Sequence, residues 1–312
     1  MNIVGLDALV FGVDDIEACS QYLRDYGLHD AGNGRFEALD GTAVELRASS
    51  DPRCRPPPPP AAAAQDGDAR GRRRHAGRHR HRTGPRPRRR RGADGSLESV
   101  DDFGFALGFH VCRAQAAAAA GRTVQCAGLA HPARGQPAGC AAAGRCHPTA
   151  HAVAHRLLRA RHGAAEAFYV QRLGFRVTDR FTGVGPFLQP AGTLDHHTHF
   201  LIPAPPHMQG VEHFTFHFGG PTEVLRNGWR FVQQGYQAFW GPGRHLMGSN
   251  WFWYFNSPLA CHVEMDADMD LHDASWQPRS MPLAADNSQA FLLRHRDKWM
   301  PGPGTPAAGD YA

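Results

Sequence analysis

The chain has 312 residues, 42% hydrophobic and 20% charged, which is enough for one large or two ordinary domains. No apolar run approaches the roughly 18 residues of a membrane span, and residues 1–15 carry no positive charge ahead of an apolar stretch, so neither a transmembrane protein nor a secretory leader is expected. The pI near 9.0 comes from two blocks: residues 53–92 hold 14 Arg against Asp66 and Asp68, residues 112–162 hold seven Arg and no acid, and subtracting +12 and +7 from the net +5 leaves −14 for the rest. The seven cysteines (Cys19, Cys54, Cys112, Cys126, Cys140, Cys146 and Cys261) are scattered, odd in number and without a C-x-x-C pair, which fits a reducing cytoplasm rather than a disulfide scaffold.

In chain order, Gly5–Val13 reads as a strand, apolar and bounded by glycine and aspartates. Asp14 or Asp15 caps a helix in which Ile16, Cys19, Tyr22 and Leu23 recur at helical spacing, and Gly27 stops it. Ala43–Leu46 is a further strand. Residues 53–92 then contain no Val, Ile, Leu, Met, Phe, Trp or Tyr, and residues 113–152 hold only Val124 and Leu129 among bulky apolar residues. Neither block can bury enough surface to offset its conformational entropy. Disordered linkers and a basic nucleic-acid tail are two readings, but no aromatic residues are interleaved for base stacking. The favoured reading is frame-slipped translation of a GC-rich gene: only Lys298 among the 34 basic residues is lysine. Codons exist for Ala154–Gly163 that, read one base on, give His-Ile-Val-Tyr-Phe-Val-Pro-Asp-Thr, an apolar strand and a helix start. Between the two blocks, residues 93–111 retain an apolar stretch, Phe103–Phe109, read as the last strand of an N-terminal pair.

Setting those blocks aside exposes a repeat. Ala164–Arg172 is a helix closed by Leu173-Gly174-Phe175, aligned with the first at an offset of 147 from Tyr22/Tyr169 onward, and His199–Ile202 is a strand that follows. Another copy opens with the alternating His213–Phe218. A helix over Thr222–Gln234 follows, with Val224, Leu225, Trp229, Phe231 and Val232 as its apolar positions, then strands Trp251–Phe255 and Cys261–Met265. The repeated unit is βαβββ, an α+β architecture in which paired units close around a shared core.

Of 20 histidines, the informative ones are His196, His197, His213, His245 and His155. His213 opens a strand, and Glu264 sits between Val263 and Met265 in another. A carboxylate in an apolar strand is costly unless it is paired or metal-bound. Two histidines and one carboxylate form a facial triad suited to non-haem Fe(II); an ordinary strand histidine and a solvated edge carboxylate are the alternative.

The repeat, with His213-Phe214, Gly243-Arg244-His245, Tyr254 and Glu264, resembles the type I extradiol catechol dioxygenases of the vicinal oxygen chelate superfamily, over about residues 1–50, 93–111 and 163–270. The resemblance implies two vicinal oxygen chelate domains, the N-terminal one incomplete. Residues 1–111 are N-terminal modules, with 53–92 frame-slipped, and 112–152 are an irregular linker. Residues 153–270 are the C-terminal metal-binding domain, and 271–312 an extension ending in a Gly/Pro/Ala-rich tail. His213 and Glu264 are implied metal ligands, with His155 as the third, since the offset of 147 carries Ala8 to 155. His197 is implied as the acid–base residue, with His196 facing away from it, and His245 and Tyr254 as hydrogen-bonding partners of substrate oxygens. The cofactor implied is Fe(II), with Mn(II) as the alternative. The partners are a small aromatic diol and O2, in a homo-oligomer, with no nucleic acid or membrane partner. A glyoxalase-like metal-dependent isomerase or hydrolase and a non-catalytic binding or resistance-type module are the rival readings.

Overall fold

The computed structural model describes residues 3–51, 54, 90–93, 95–101, 104–111, 149, 152–159, 162–205, 208 and 210–294, with the main chain alone at 90, 152–159 and 162. Most of the blocks 53–92 and 112–152, and the tail after Met300, lie outside the described residues.

The described residues contain three copies of one βαβββ unit. The first comprises β1 (Ala8–Val13), α1 (Ile16–Tyr26), β2 (His29–Gly32), β3 (Arg35–Glu37) and β4 (Ala43–Ala48). A meander of β5 (Arg90–Arg91), β6 (Leu97–Val100) and β7 (Ala106–Phe109) follows. The second unit is β8 (Ala152–Arg159), α2 (His162–Ala167, continuing as a π turn over Phe168–Arg172), β9 (Arg176–Thr182), β10 (Gly185–Gln189) and β11 (His199–Pro203). The third is β12 (Gly210–His217), α3 (Pro221–Gln233), β13 (Ala238–His245), β14 (Trp251–Asn256) and β15 (His262–Ala267). In each, the first strand pairs in parallel with the last: β1 with β4, β8 with β11, β12 with β15. The helix serves as the crossover that a parallel pair requires.

The second and third units join through the antiparallel pair β8–β12 into one ten-stranded sheet, ordered β16-β9-β10-β11-β8-β12-β15-β14-β13-β17. Its two edges come from the segment after the repeat, β16 (Arg279–Pro282) on β9 and, after the short α4 (Ala285–Ser288), β17 (Gln289–Leu292) on β13. That segment was read from sequence only as an extension.

Alternation along β12, β14 and β15 separates two faces. Phe214, Phe216, Trp253, Phe255, Val263 and Met265 point into a core with Val224 and Phe231 of α3, and the same core takes Tyr22, Leu23 and Tyr26 of α1. Asp15 caps α1 by accepting from the Ala18 amide at 2.9 Å, and Gly27, at φ 124°, closes it. Trp229, one of the apolar positions of α3, is 38% exposed, whereas Val224 and Phe231 are fully buried. The opposite face of the sheet carries His213, Thr215, His217, Tyr254, Glu264 and Asp266 in matching register.

The π turn revises the repeat offset. α2 begins at His162 against Ile16 of α1, and β8 ends at Arg159 against Val13 of β1, both separations of 146. A π turn holds one residue more than the α-helix around it, so the offset of 147 holds from Tyr169, within the turn, onward, and is 146 upstream. Upstream, the equivalent of Ala8 is position 154.

Candidate metal and catalytic site

The site lies on the polar face of the third unit. Glu264 is buried, 3% exposed, on the central strand β15, between the neighbours that carry His213 and Tyr254. Glu264 Oε2 lies 3.6 Å from His213 Nε2, and Oε1 lies 3.4 Å from His245 Nε2. The Tyr254 hydroxyl is 3.2 Å from the same His245 nitrogen, and its ring stands edge-on to His213 at 5.0 Å. The structure therefore brings His213, His245, Tyr254 and Glu264 together.

Hydrogen bonds on the outer nitrogens decide what these rings present. His213 Nδ1 donates to Glu212 Oε2 at 2.6 Å, and Glu212 Oε1 in turn accepts from His262 Nδ1 at 3.0 Å. His245 Nδ1 donates to the Ser288 carbonyl at 2.8 Å, which the C-terminal extension supplies. When such a ring carries a single proton, that proton sits on Nδ1 and Nε2 turns a lone pair toward the Glu264 carboxylate. A lone pair facing a buried carboxylate is relieved by a cation between them or by a proton on the ring, and the His245 lone pair also has the Tyr254 hydroxyl within reach. A histidine whose second nitrogen donates to a carboxylate is also the usual arrangement of a metal ligand. Donors about 2.1 Å from a common ion, at right angles, stand about 3 Å apart, near the His213–Glu264 separation. On this donor chemistry, His213 and Glu264 fit a divalent metal.

A third protein ligand is not among the described side chains, and among the described residues no three His, Cys, Asp or Glu side chains form a metal-holding group. The His155 side chain lies outside the described residues. The main-chain register of β8 pairs His155 with Phe214 and His199, while Ala154 pairs with Thr215 and Arg156 with His213. Opposed residues of neighbouring strands share a face, so 154 and 156 occupy the register set of His213, and His155 the alternate one.

Deeper in the site, Asn250 Nδ2 donates to Glu264 Oε1 at 3.3 Å and to Asp266 Oδ2 at 3.2 Å, and Asp266 Oδ1 accepts from His217 Nδ1 at 2.6 Å. Burial pulls the His217 imidazole down, but Asp266 and Glu264 beside it raise it above its ordinary range. The sequence reading missed Glu212, His217, Asn250 and Asp266. The signal for Asp266 was present: like Glu264, it is a carboxylate in the apolar run of β15.

His197 is 9% exposed, and burial holds it well below the ordinary imidazole range, with His196, His245, His213 and His217 near enough to add to that effect. His196 does not face away from it. Residues 196–198 form a bend between strands, so strand alternation does not apply there, and the two Nδ1 atoms meet at 2.9 Å.

No protein-family model matches the chain. A stretch of 121 residues is 31% identical to metapyrocatechase 2 of Cupriavidus necator, covering 39% of this chain and 37% of that protein, so the match spans little more than a third of the relative's length. The Mn(II)-bound glyoxalase of Novosphingobium aromaticivorans superposes with a TM-score of 0.63 at 18% identity, over 93% of this chain and 91% of that one. A halotolerant catechol dioxygenase superposes with a TM-score of 0.63 at 12% identity, over 94% and 95%. The α+β fold of repeated βαβββ units is the one these structures share, and the resemblance drawn from the sequence agrees with these matches.

Proposed function

We propose that this site opens the ring of a catechol-type diol by extradiol cleavage with O2, using a divalent metal, Fe(II) in first place and Mn(II) as the alternative. One observation carries the reading: His213 and His245, each with its outer nitrogen committed, turn lone pairs onto the buried Glu264, with the Tyr254 hydroxyl beside them. His213 and Glu264 would hold the metal, and the place for a third donor lies on β8. When bound, a ferrous ion supplies a Lewis-acidic anchor for a diol and a route for electrons to O2.

The protein's own residues do the rest. His197, neutral in its buried position, accepts the proton of a diol hydroxyl and returns it to the product. Tyr254 and His245 hold a substrate oxygen between a hydroxyl and an imidazole, and Ser288 keeps the His245 ring from turning. Phe187, stacked on Phe200 and edge-on to His197, walls that side of the site against water.

The test is formation of a yellow ring-opened semialdehyde from a panel of catechols, with Fe(II) and O2 added. His213→Ala and Glu264→Ala each remove it. A glyoxalase-like isomerase is the second reading, favoured if neither the chain nor a variant completing its ligand set opens any catechol while isomerising a hemithioacetal.

A further inference from the structure

The buried acid beside this site has a part that its location alone does not reveal. Asp179 is fully buried on β9. Burial alone would raise its carboxyl, but hydrogen bonds from His196 and Arg279 override that and hold it at about 2. Arg279, on the strand of the C-terminal extension, grips it through its backbone amide at 2.8 Å and through Nη2 at 2.5 Å. The ionised carboxylate is an acceptor only, so His196 Nε2, 2.9 Å from Asp179 Oδ2, is the protonated nitrogen. Arg279 already meets the carboxylate, so a single proton on His196, at Nε2, completes its hydrogen bonds and leaves Nδ1 as a lone pair. That lone pair faces His197 Nδ1 at 2.9 Å, and two lone pairs cannot meet there. His197 must therefore carry its proton on Nδ1 and leave Nε2, on the opposite edge of the ring, bare.

We infer that Asp179 and His196 are positioning residues that fix His197 as its Nδ1–H tautomer, so that Nε2 is presented as the proton acceptor of the site. The inference rests on the reading of His197 given under Proposed function, but the tautomer itself can be measured without any turnover. In the proton step, the O–H bond of a substrate hydroxyl breaks and an N–H bond forms at His197 Nε2. The Nδ1 proton stays in place, donated to His196 Nδ1, and Asp179 keeps the His196 ring turned to receive it. A carboxylate that orients an imidazole in this way sets which nitrogen reacts; here the same effect passes through a second ring.

The experiment is 15N-histidine labelling of the full chain with long-range 1H–15N spectra, His197 being assigned by its loss in His197→Gln. Wild type is expected to show His197 as Nδ1–H. In Asp179→Asn the side-chain amide donates to His196, reversing the chain of donors, and His197 is expected as Nε2–H. His196→Asn keeps an acceptor for His197 Nδ1–H, and His196→Leu does not, so the first retains the tautomer and the second loses it. Where the chain turns over a catechol, Asp179→Asn is expected to lower kcat by about 10²-fold or more, with KM within about twofold. His197 found as Nε2–H in wild type overturns the inference whether or not any variant folds, as does an unchanged tautomer in folded Asp179→Asn. Absence of ring cleavage with the expected tautomers present would instead remove the proposed function and leave the relay standing.

Discussion

The Tyr26 hydroxyl, at the end of α1, donates to the backbone carbonyl of Glu264 at 2.5 Å and accepts from the Phe216 amide at 3.1 Å. A residue of the first βαβββ unit thus ties together the two strands that carry Glu264 and His213. Its hydroxyl is fully buried, and burial raises it well above the ordinary phenol range, so it stays a donor at any working pH. Tyr26→Phe keeps the ring and removes both hydrogen bonds. It should destabilise the fold by about 1–3 kcal/mol and, by loosening the main chain under Glu264, weaken divalent-metal binding more than it changes far-UV circular dichroism. Urea titration and metal calorimetry on the same variant check this; unchanged stability would mean that water replaces the hydroxyl.

Gly228 of α3 faces the Trp253 ring, and a Cβ there would overlap it. The helix accepts the propensity cost of a glycine so that an indole on β14 can lie flat beneath it. Gly228→Ala should therefore destabilise, by about 1–3 kcal/mol of overpacking, although on an exposed helix the same change stabilises. A thermal melt decides the sign.

Asp179 also makes a pH prediction. Its folded carboxyl sits at about 2 against 3.8 for the free group. A depressed carboxyl contributes stability that is fully present above about pH 4 and is lost as the pH falls toward 2, here on the order of 2 kcal/mol. The stability gap between wild type and Asp179→Asn should be widest above pH 5 and should narrow by roughly that amount by pH 2. Urea unfolding across that range measures it; a pH-independent gap would show that the carboxyl titrates alike folded and unfolded, and a gap that shifts the other way would show that it is held neutral in the fold.

The sequence made the third unit legible because its strands alternate cleanly: Phe214, Phe216, Val263 and Met265 mark one face, and His213 and Glu264 are left on the other. His245 and Tyr254 came from the family resemblance, and the structure brings both beside Glu264. What escaped were relations between distant segments. Ser288 and Arg279 lie in a stretch without periodicity, yet Arg279 opens edge strand β16 and Ser288 ends the α4 turn leading into edge strand β17, and they reach Asp179 and His245. His196 was misread because alternation was applied to a bend, where backbone geometry no longer sends neighbours to opposite sides. The reading of position 155 extended an offset across a π turn, which shows itself in the geometry of the helix and not in its composition.

That revised offset leads to the decisive ligand experiment. The register of β8 places 154 opposite Thr215, in the set that includes His213, and 155 opposite Phe214. The frame-shifted reading of the same codons also begins its strand with histidine at 154. A facial triad short of one imidazole binds iron weakly, because two donors leave the ion held by an incomplete face. The chain as written should accordingly bind Fe(II) loosely and open catechols slowly. Ala154→His should raise Fe(II) affinity by at least about tenfold, or ~1.4 kcal/mol, and raise ring cleavage with it, whereas His155→Ala should change neither. Anaerobic Fe(II) titration reads the affinity directly and separates it from catalysis. Loss of metal binding in His155→Ala, with no gain in Ala154→His, would return the third ligand to 155 and require β8 to pair one residue out of the register described above.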